Sequence, residues 1–144
     1  MRLNLGSGSQ PVAGFVNVDI VPLPEVDVVH DLDVLPWPWA GGSVGEIVAQ
    51  DVFEHVADPI RFMTEAHRVL RVGGALTLKS PHWRHQDAFT DPTHRRFCTE
   101  HTWDYWVQGT ALYERHNAAY GGVAYTMTGR QVTSGAIFVR LVKI

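Results

Sequence analysis

Leu3-Asn4-Leu5-Gly6-Ser7-Gly8-Ser9, followed by Phe15-Val16-Asn17-Val18-Asp19, is the stretch on which the fold of this chain turns. The first part is an apolar strand running into a glycine turn. Gly6 and Gly8 lack Cβ, so the backbone can turn sharply and lie against a ligand. The second part is another strand, and it ends on a carboxylate. In open α/β sheets ligands sit at the carboxyl ends of strands. A glycine turn after one strand and an acid ending the next can hold a ribose, with the carboxylate accepting from two sugar hydroxyls. Gly-x-Gly alone is also an ordinary turn signal, so the rest of the chain has to decide.

Working outward, strands are predicted at Arg2–Leu5, Phe15–Ile20, Val26–Val29, Val44–Gln50 and Ala75–Ser80. Asp58-Pro59 is a helix start, an N-cap acid with proline at the first helical position. Ile60, Met63, Ala66, Val69 and Leu70 follow at helical spacing, Arg71 falls in the last turn, and Gly73-Gly74 stop the helix. Residues 44–80 are thus one βαβ unit of a parallel sheet. After Pro81 the chain becomes polar, histidine-rich and aromatic, which predicts a long ordered loop over 82–98. Thr99 caps a helix through about Val107, and Ala111–Tyr120 adds another turn or two. Val123–Thr133 and Ala136–Ile144 are two final strands, antiparallel to each other.

Composition limits the function classes. With 144 residues, 45% hydrophobic and 19% charged, the chain predicts one folded domain spanning 1–144 rather than a disordered segment. A net charge of −3 argues against a generally basic nucleic-acid binder. Cys98 is the one cysteine, so no intrachain disulfide forms and a reducing, cytoplasmic setting is predicted. Met1-Arg2 leads straight into a strand, and no apolar run reaches the ~18 residues of a membrane helix.

Four segments in order make the chain resemble the class I S-adenosylmethionine-dependent methyltransferases, of the small bacterial and phage kind. Leu3-Asn4-Leu5-Gly6-Ser7-Gly8 resembles their first motif, where cysteine is commoner than Ser7. Val18-Asp19-Ile20 resembles the second, whose acid binds ribose. Asp31-Leu32 before Leu35-Pro36 resembles the segment that caps the adenine. Gln50-Asp51-Val52-Phe53-Glu54-His55, with Arg68-Val69-Leu70-Arg71-Val72-Gly73-Gly74, resembles the loop after strand four and the end of the following helix. The resemblance covers residues 2–82. It implies a Rossmann-like α/β fold, a seven-stranded, mostly parallel sheet with an antiparallel C-terminal strand. It also implies S-adenosylmethionine as cofactor, contacted by Leu5, Gly6, Ser7, Gly8, Asp19, Ile20, Asp31, Leu32, Gln50, Asp51 and His55.

This chain departs from that pattern by being trimmed of several helices. Gly8 and Asp19 are 11 residues apart, where a unit with a full helix between takes ~20. The links 20–26 and 30–43 lack helical pattern too. Parallel sheets normally carry helices on both faces. The cover must therefore come from the Trp37/Trp39 loop, from the C-terminal helices or from a second subunit, and an uncovered apolar face predicts a homo-oligomer.

Methyl transfer to an unidentified acceptor is the function these features favour. Two alternatives stay open: a non-catalytic nucleotide- or partner-binding module on the same fold, and an enzyme using the cofactor for non-methyl chemistry. Histidine suits a general base, since its ordinary pKa of ~6.5 leaves it largely neutral at pH 7. His82 and His94 are the joint candidates, with Asp51 placed to orient His82 and Asp91 to orient His94. No metal is assigned, because the spacings among His82, His85, Asp87, Asp91, His94 and His101 match no standard zinc pattern. Trp83-Arg84-His85 and His94-Arg95-Arg96-Phe97 interleave cations with aromatics, which would suit an anionic or planar acceptor such as a nucleotide, a nucleic acid or a sugar phosphate. A small-molecule or nucleotide-like substrate, and no membrane, completes the expectation.

Overall fold

Strands β1 (Arg2–Leu5), β2 (Val16–Asp19), β3 (Val28–Val29), β4 (Val44–Gln50), β5 (Leu70–Pro81), β6 (Tyr125–Val132) and β7 (Ala136–Lys143) form one sheet in the order β3-β2-β1-β4-β5-β7-β6. This computed structural model describes residues 1–144. β1 pairs in parallel with both β2 and β4, and β5 continues the parallel set. Only β7 runs against its neighbours. Strand order reverses at β1, so a crevice opens beyond the carboxyl ends of β1 and β4.

Helix α1 (Pro59–Val69) starts as its sequence dictates. The Asp58 carboxylate accepts from the amides of Ile60 at 2.9 Å and Arg61 at 3.0 Å, with Pro59 inside the first turn. Its end differs from expectation. Leu70 is already extended and pairs with Val44, and the register then jumps to Glu46 opposite Ala75. Residues 71–74 bulge out between these points, with Gly73 at φ +76°. Pairing Leu70 with β4 satisfies backbone groups that one more helical turn would leave open. The helix predicted from Thr99 is instead a 3-10 turn at Thr102–Trp106. A period of three brings residues i and i+3 onto one side, and both Trp103 and Trp106 are thereby buried.

The missing helices leave the sheet one-sided. Leu3, Leu5, Ile47, Ala49, Leu76, Leu78, Ile137, Val139 and Leu141 point to one face and are buried there. They join Phe62 and Met63 of α1, Trp37 and Trp39 of the proline loop, and Trp103 and Trp106 in one core cluster. Trp37 and Phe62 meet edge to face, as do Phe53 and Trp106. The loop is held by Glu65, whose Oε1 accepts from the Trp37 amide at 2.6 Å while Arg68 grips both carboxylate oxygens and donates to the Trp39 carbonyl. Those hydrogen bonds from Arg68 hold the Glu65 carboxyl below its ordinary range.

The opposite face carries no helix. By register it presents Asn4, Glu46, Gln50, Thr77, Lys79 and Arg140 together with Val48, Ala75, Phe138 and Val142. It mixes polar and apolar residues, with Ala75 buried and Val48, Phe138 and Val142 half-buried. The short link 8–14 is tied to this side through Asn17, which accepts from the Val12 amide and from Asn4, and donates to Asp27. No helix of the structure is long and apolar enough to cross a membrane.

Candidate active site

The glycine turn is built for close approach. Gly6 has φ +64°, and a Cβ there would stand 2.3 Å from Val52 Cγ2. Gly8 has φ +49° and donates its amide to Asp19 Oδ2 at 2.8 Å, while Asp19 Oδ1 accepts from the Val21 amide at 2.9 Å. The β2 carboxylate thus braces the turn, and the second lone pair of each oxygen remains for hydroxyl donors. Beyond β3, Asp31 Oδ1 closes an Asx turn on the Asp33 amide at 2.9 Å. Asp33 in turn accepts from the Ala57 amide at 2.8 Å, fixing this segment to the loop after β4.

Gly6, Asp19, Ile20, His30, Asp31, Leu32, Asp33, Asp51, Val52, His55 and Val56 enclose a cleft of about 440 Å³, a volume that suits a small ligand. Seven of the residues predicted to touch the cofactor meet here: Gly6, Asp19, Ile20, Asp31, Leu32, Asp51 and His55. Four do not. Leu5 is fully buried in the core and Ser7 is buried beside it. Gly8 and Gln50, with Ser7, face an adjoining groove that shares Gly6 and Asp51 with the cleft. His30, Asp33, Val52 and Val56 line the cleft without having been singled out, because their contribution depends on how the loops after β3 and β4 meet.

Asp51 borders this cleft, the groove beside it and a further cavity. It is the one non-glycine residue with positive φ, at 54°, a conformation that costs energy and needs support. Its amide bonds to the Lys79 carbonyl at 2.9 Å and its Oδ2 pairs with Lys79 Nζ at 2.6 Å. Asp51 and His55 also line a second cavity of about 850 Å³, with Glu54, Lys79, Asp87, Asp91, His94 and Phe138 on its walls. Arg95 and Arg96 fix the loop that forms one wall. The Arg95 amide donates to the Glu54 carbonyl at 2.8 Å, and the Arg96 guanidinium donates to the carbonyls of Phe53 and Val56. Burial lowers the pKa of Arg96, and its place over the Phe53 ring at 5.6 Å completes the clamp.

Of the predicted catalytic residues, Asp51, Asp91 and His94 line this second cavity and His82 does not. His82 is buried elsewhere: its amide bonds to the Gly135 carbonyl, its Nδ1 accepts from the Arg84 amide at 3.2 Å, and its Nε2 faces Glu100 at 3.6 Å. β5 runs on to Pro81, and pairing with Cys98 then turns the His82 ring away. The orienting pairs differ as well. Asp51 is engaged by Lys79 rather than His82. His94 Nδ1 is held by the Ala88 carbonyl at 2.8 Å, while Asp91 Oδ1 accepts from the Thr93 amide and hydroxyl, bonds that lower the Asp91 pKa. The ring that meets His94 is His55, with centroids 4.6 Å apart.

Glu54 has no role that its place in the sequence assigns, yet it is 1% exposed and lines the cavity. Burial raises its pKa against the opposing hydrogen bond from Ser80 Oγ at 2.7 Å. No spacing rule announces a buried glutamate. Four carboxylates, Asp51, Glu54, Asp87 and Asp91, outnumber Lys79. Arg84 lies over its neighbour Trp83, and Arg96 is spent on carbonyls.

Residues 13–78 match the family model described as a methyltransferase domain. Across 99% of the chain the fold superposes on solved structures. One is an S-adenosylmethionine-dependent methyltransferase from Thermotoga maritima (TM-score 0.69, 16% identity, 82% of that chain). A second is the YcgJ protein from Bacillus subtilis (0.67, 14%, 91%). The chain has the class I methyltransferase fold. A third similar structure, the trans-methyltransferase CalH in complex with S-adenosylhomocysteine (0.63, 13%), is matched over 51% of its length. In sequence, an uncharacterized 37.1 kDa protein of transposon TN4556 from Streptomyces fradiae is 42% identical over 62 residues. That alignment spans 42% of this chain and 17% of the Streptomyces protein. Within this methyltransferase fold, the cleft of 440 Å³ lies where the strand order reverses, and the second cavity adjoins it.

Proposed function

We propose that this chain is an S-adenosylmethionine-dependent methyltransferase acting on a small acceptor, with the cofactor in the Asp19 cleft and the acceptor in the cavity beside it. One observation carries the proposal: the two spaces share Asp51 and His55 as a common wall. The residues fit the cofactor. Gly6 borders the cleft with backbone alone, Asp19 offers lone pairs to the ribose hydroxyls, and Asp31 and Leu32 would border the adenine. Ile20, Val52 and Val56 supply apolar surface. When bound, the cofactor supplies an electrophilic methyl group on a sulfonium. The acidic lining favours that positive charge.

This chain's own part is alignment and proton removal. Holding the acceptor in line is worth several kcal/mol of barrier. His94 stands ready as the base, with its Nδ1 fixed by the Ala88 carbonyl and its other nitrogen left free. The carboxylates around it favour an amine or neutral hydroxyl over a phosphate or nucleic acid. Cys98 is buried, with its thiol pushed up to about 11 by burial, so it takes no part, and as the chain's single thiol it suits cytoplasmic work.

The test is calorimetry with S-adenosylmethionine and S-adenosylhomocysteine, then turnover on a panel of small amines and alcohols followed by release of S-adenosylhomocysteine. Asp19→Ala should weaken both ligands by ~1.5–3 kcal/mol, the worth of a charge-assisted acceptor. His94→Gln should keep affinity and lower turnover ~10²–10⁴-fold. Folded protein giving no heat with either ligand would overturn the assignment.

A further inference from the structure

A carboxylate and two imidazoles converge on the wall of the larger cavity. One carboxylate oxygen of Glu54 and one nitrogen each of His55 and His94 lie within 4.8 Å of one another. Hydrogen bonding fixes which atoms are free. The Thr93 hydroxyl gives its single hydrogen to Asp91 Oδ1 at 2.7 Å, so it can only accept from His55 Nδ1 at 2.9 Å. A carbonyl can only accept, so His94 Nδ1 donates to Ala88 at 2.8 Å. Both imidazoles therefore carry their lone pair on Nε2. Glu54 Oε2 is taken by Ser80, while Oε1 is buried with no partner at all. Each of the three side chains thus keeps an unshared acceptor atom in a partly buried site, and a cation or a proton is what would satisfy it there.

We propose that Glu54, His55 and His94 hold a divalent first-row transition-metal ion, with Zn²⁺ as the representative. Two imidazoles and one carboxylate are a donor set of the right softness for such ions, and three protein ligands leave one position open. The supporting contacts are those of metal sites: each ligating histidine donates its other N–H, one to a hydroxyl backed by a carboxylate and one to a carbonyl. The clamp of Arg95 and Arg96 on residues 53–56 sets Glu54 and His55 against the loop that carries His94. The open position faces the acceptor cavity. An ion there would bind an acceptor hydroxyl and lower its pKa, so that His94 would serve as a ligand in the metal-loaded chain and as the base only in the metal-free one. That last step rests on the methyltransferase proposal; the binding of the ion does not.

The experiment uses the full chain after chelator treatment and dialysis, without S-adenosylmethionine. Zn²⁺ is titrated against a chromophoric chelator, and Co²⁺ is titrated while the visible d–d bands are recorded. The wild type should take up about one Zn²⁺ per chain and develop a Co²⁺ spectrum. His94→Gln and His55→Gln should each weaken binding at least ~100-fold, and Thr93→Ala, which removes only the support of His55, ~10–100-fold. His85→Gln, at a histidine outside the cluster, should bind as the wild type does. Near-UV circular dichroism checks that each variant folds; if a ligand variant does not, the Thr93→Ala titration decides. Wild type that binds no Zn²⁺ overturns the proposal. So does binding left unchanged by Thr93→Ala and by the folded ligand variants. Because the titration needs no methyl donor, its failure is separate from any failure of cofactor binding.

Discussion

Gly6 and Gly8 form a natural controlled pair for testing how the glycine turn works. Both have positive φ, so alanine at either should cost roughly 1–2 kcal/mol for the left-handed backbone. At Gly8 nothing lies within 4 Å of the added methyl, and that cost stands alone. At Gly6 the methyl would sit 2.3 Å from Val52 Cγ2. Val52 is buried and β-branched, so it cannot swing aside within its rotamer. Overpacking of this kind adds roughly 1–3 kcal/mol, which brings Gly6→Ala to about 2–5 kcal/mol against about 1–2 for Gly8→Ala. Urea unfolding reads this directly: with a slope of ~2 kcal/mol/M, a 3 kcal/mol loss lowers the midpoint by about 1.5 M. Adding Val52→Ala should relieve the steric share but not the backbone share, so the double-mutant cycle should show positive coupling of ~1–3 kcal/mol. Equal costs at the two glycines, with no coupling to Val52, would refute the close-packing account of the turn.

Glu65→Ala should destabilise the fold by about 2–4 kcal/mol in the same assay, because the Trp37 amide and the Arg68 guanidinium both lose their acceptor; tryptophan fluorescence should follow as the Trp37/Trp39 loop loosens. His67 gives a pH dependence. Burial first, then the charge of Lys143, lowers its pKa in the fold, and its Nε2 is buried without a partner. The unfolded chain then binds the proton more readily, so this contribution is intact above pH ~6.5 and is lost as pH falls from there through the folded pKa. Urea midpoints between pH 5 and 8 should show that decline in the wild type and a shallower one in His67→Gln; equal slopes would remove His67 as the cause.

Most of the sheet could be read from the sequence because one face is buried and each strand ends on a turn signal. Leu3 and Leu5 flank a polar Asn4, and Val16 and Val18 flank Asn17, which is the alternation of a sheet covered on one side. The end of α1 was misplaced because Gly73-Gly74 serve a bulge as readily as a helix stop, and only pairing with Val44 distinguishes the two. In the site, residues attached to strand ends were legible: Asp19, Asp51 and the Gly6 turn. His82 looked equivalent to them by position, but its ring direction depends on Cys98 and Gly135, which lie far along the chain. The partnership of His55 with His94 and the burial of Glu54 depend on the same kind of distant contact.

Arg96 holds the loop after β4 by the carbonyls of Phe53 and Val56 rather than by side chains. Every residue type has a carbonyl, so the clamp is blind to what stands at those two positions. It constrains the count of residues between them instead. Drift by substitution along 53–56 can proceed without loosening the two loops, whereas gaining or losing a single residue there would pull one carbonyl out of reach and part both cavities at their shared wall.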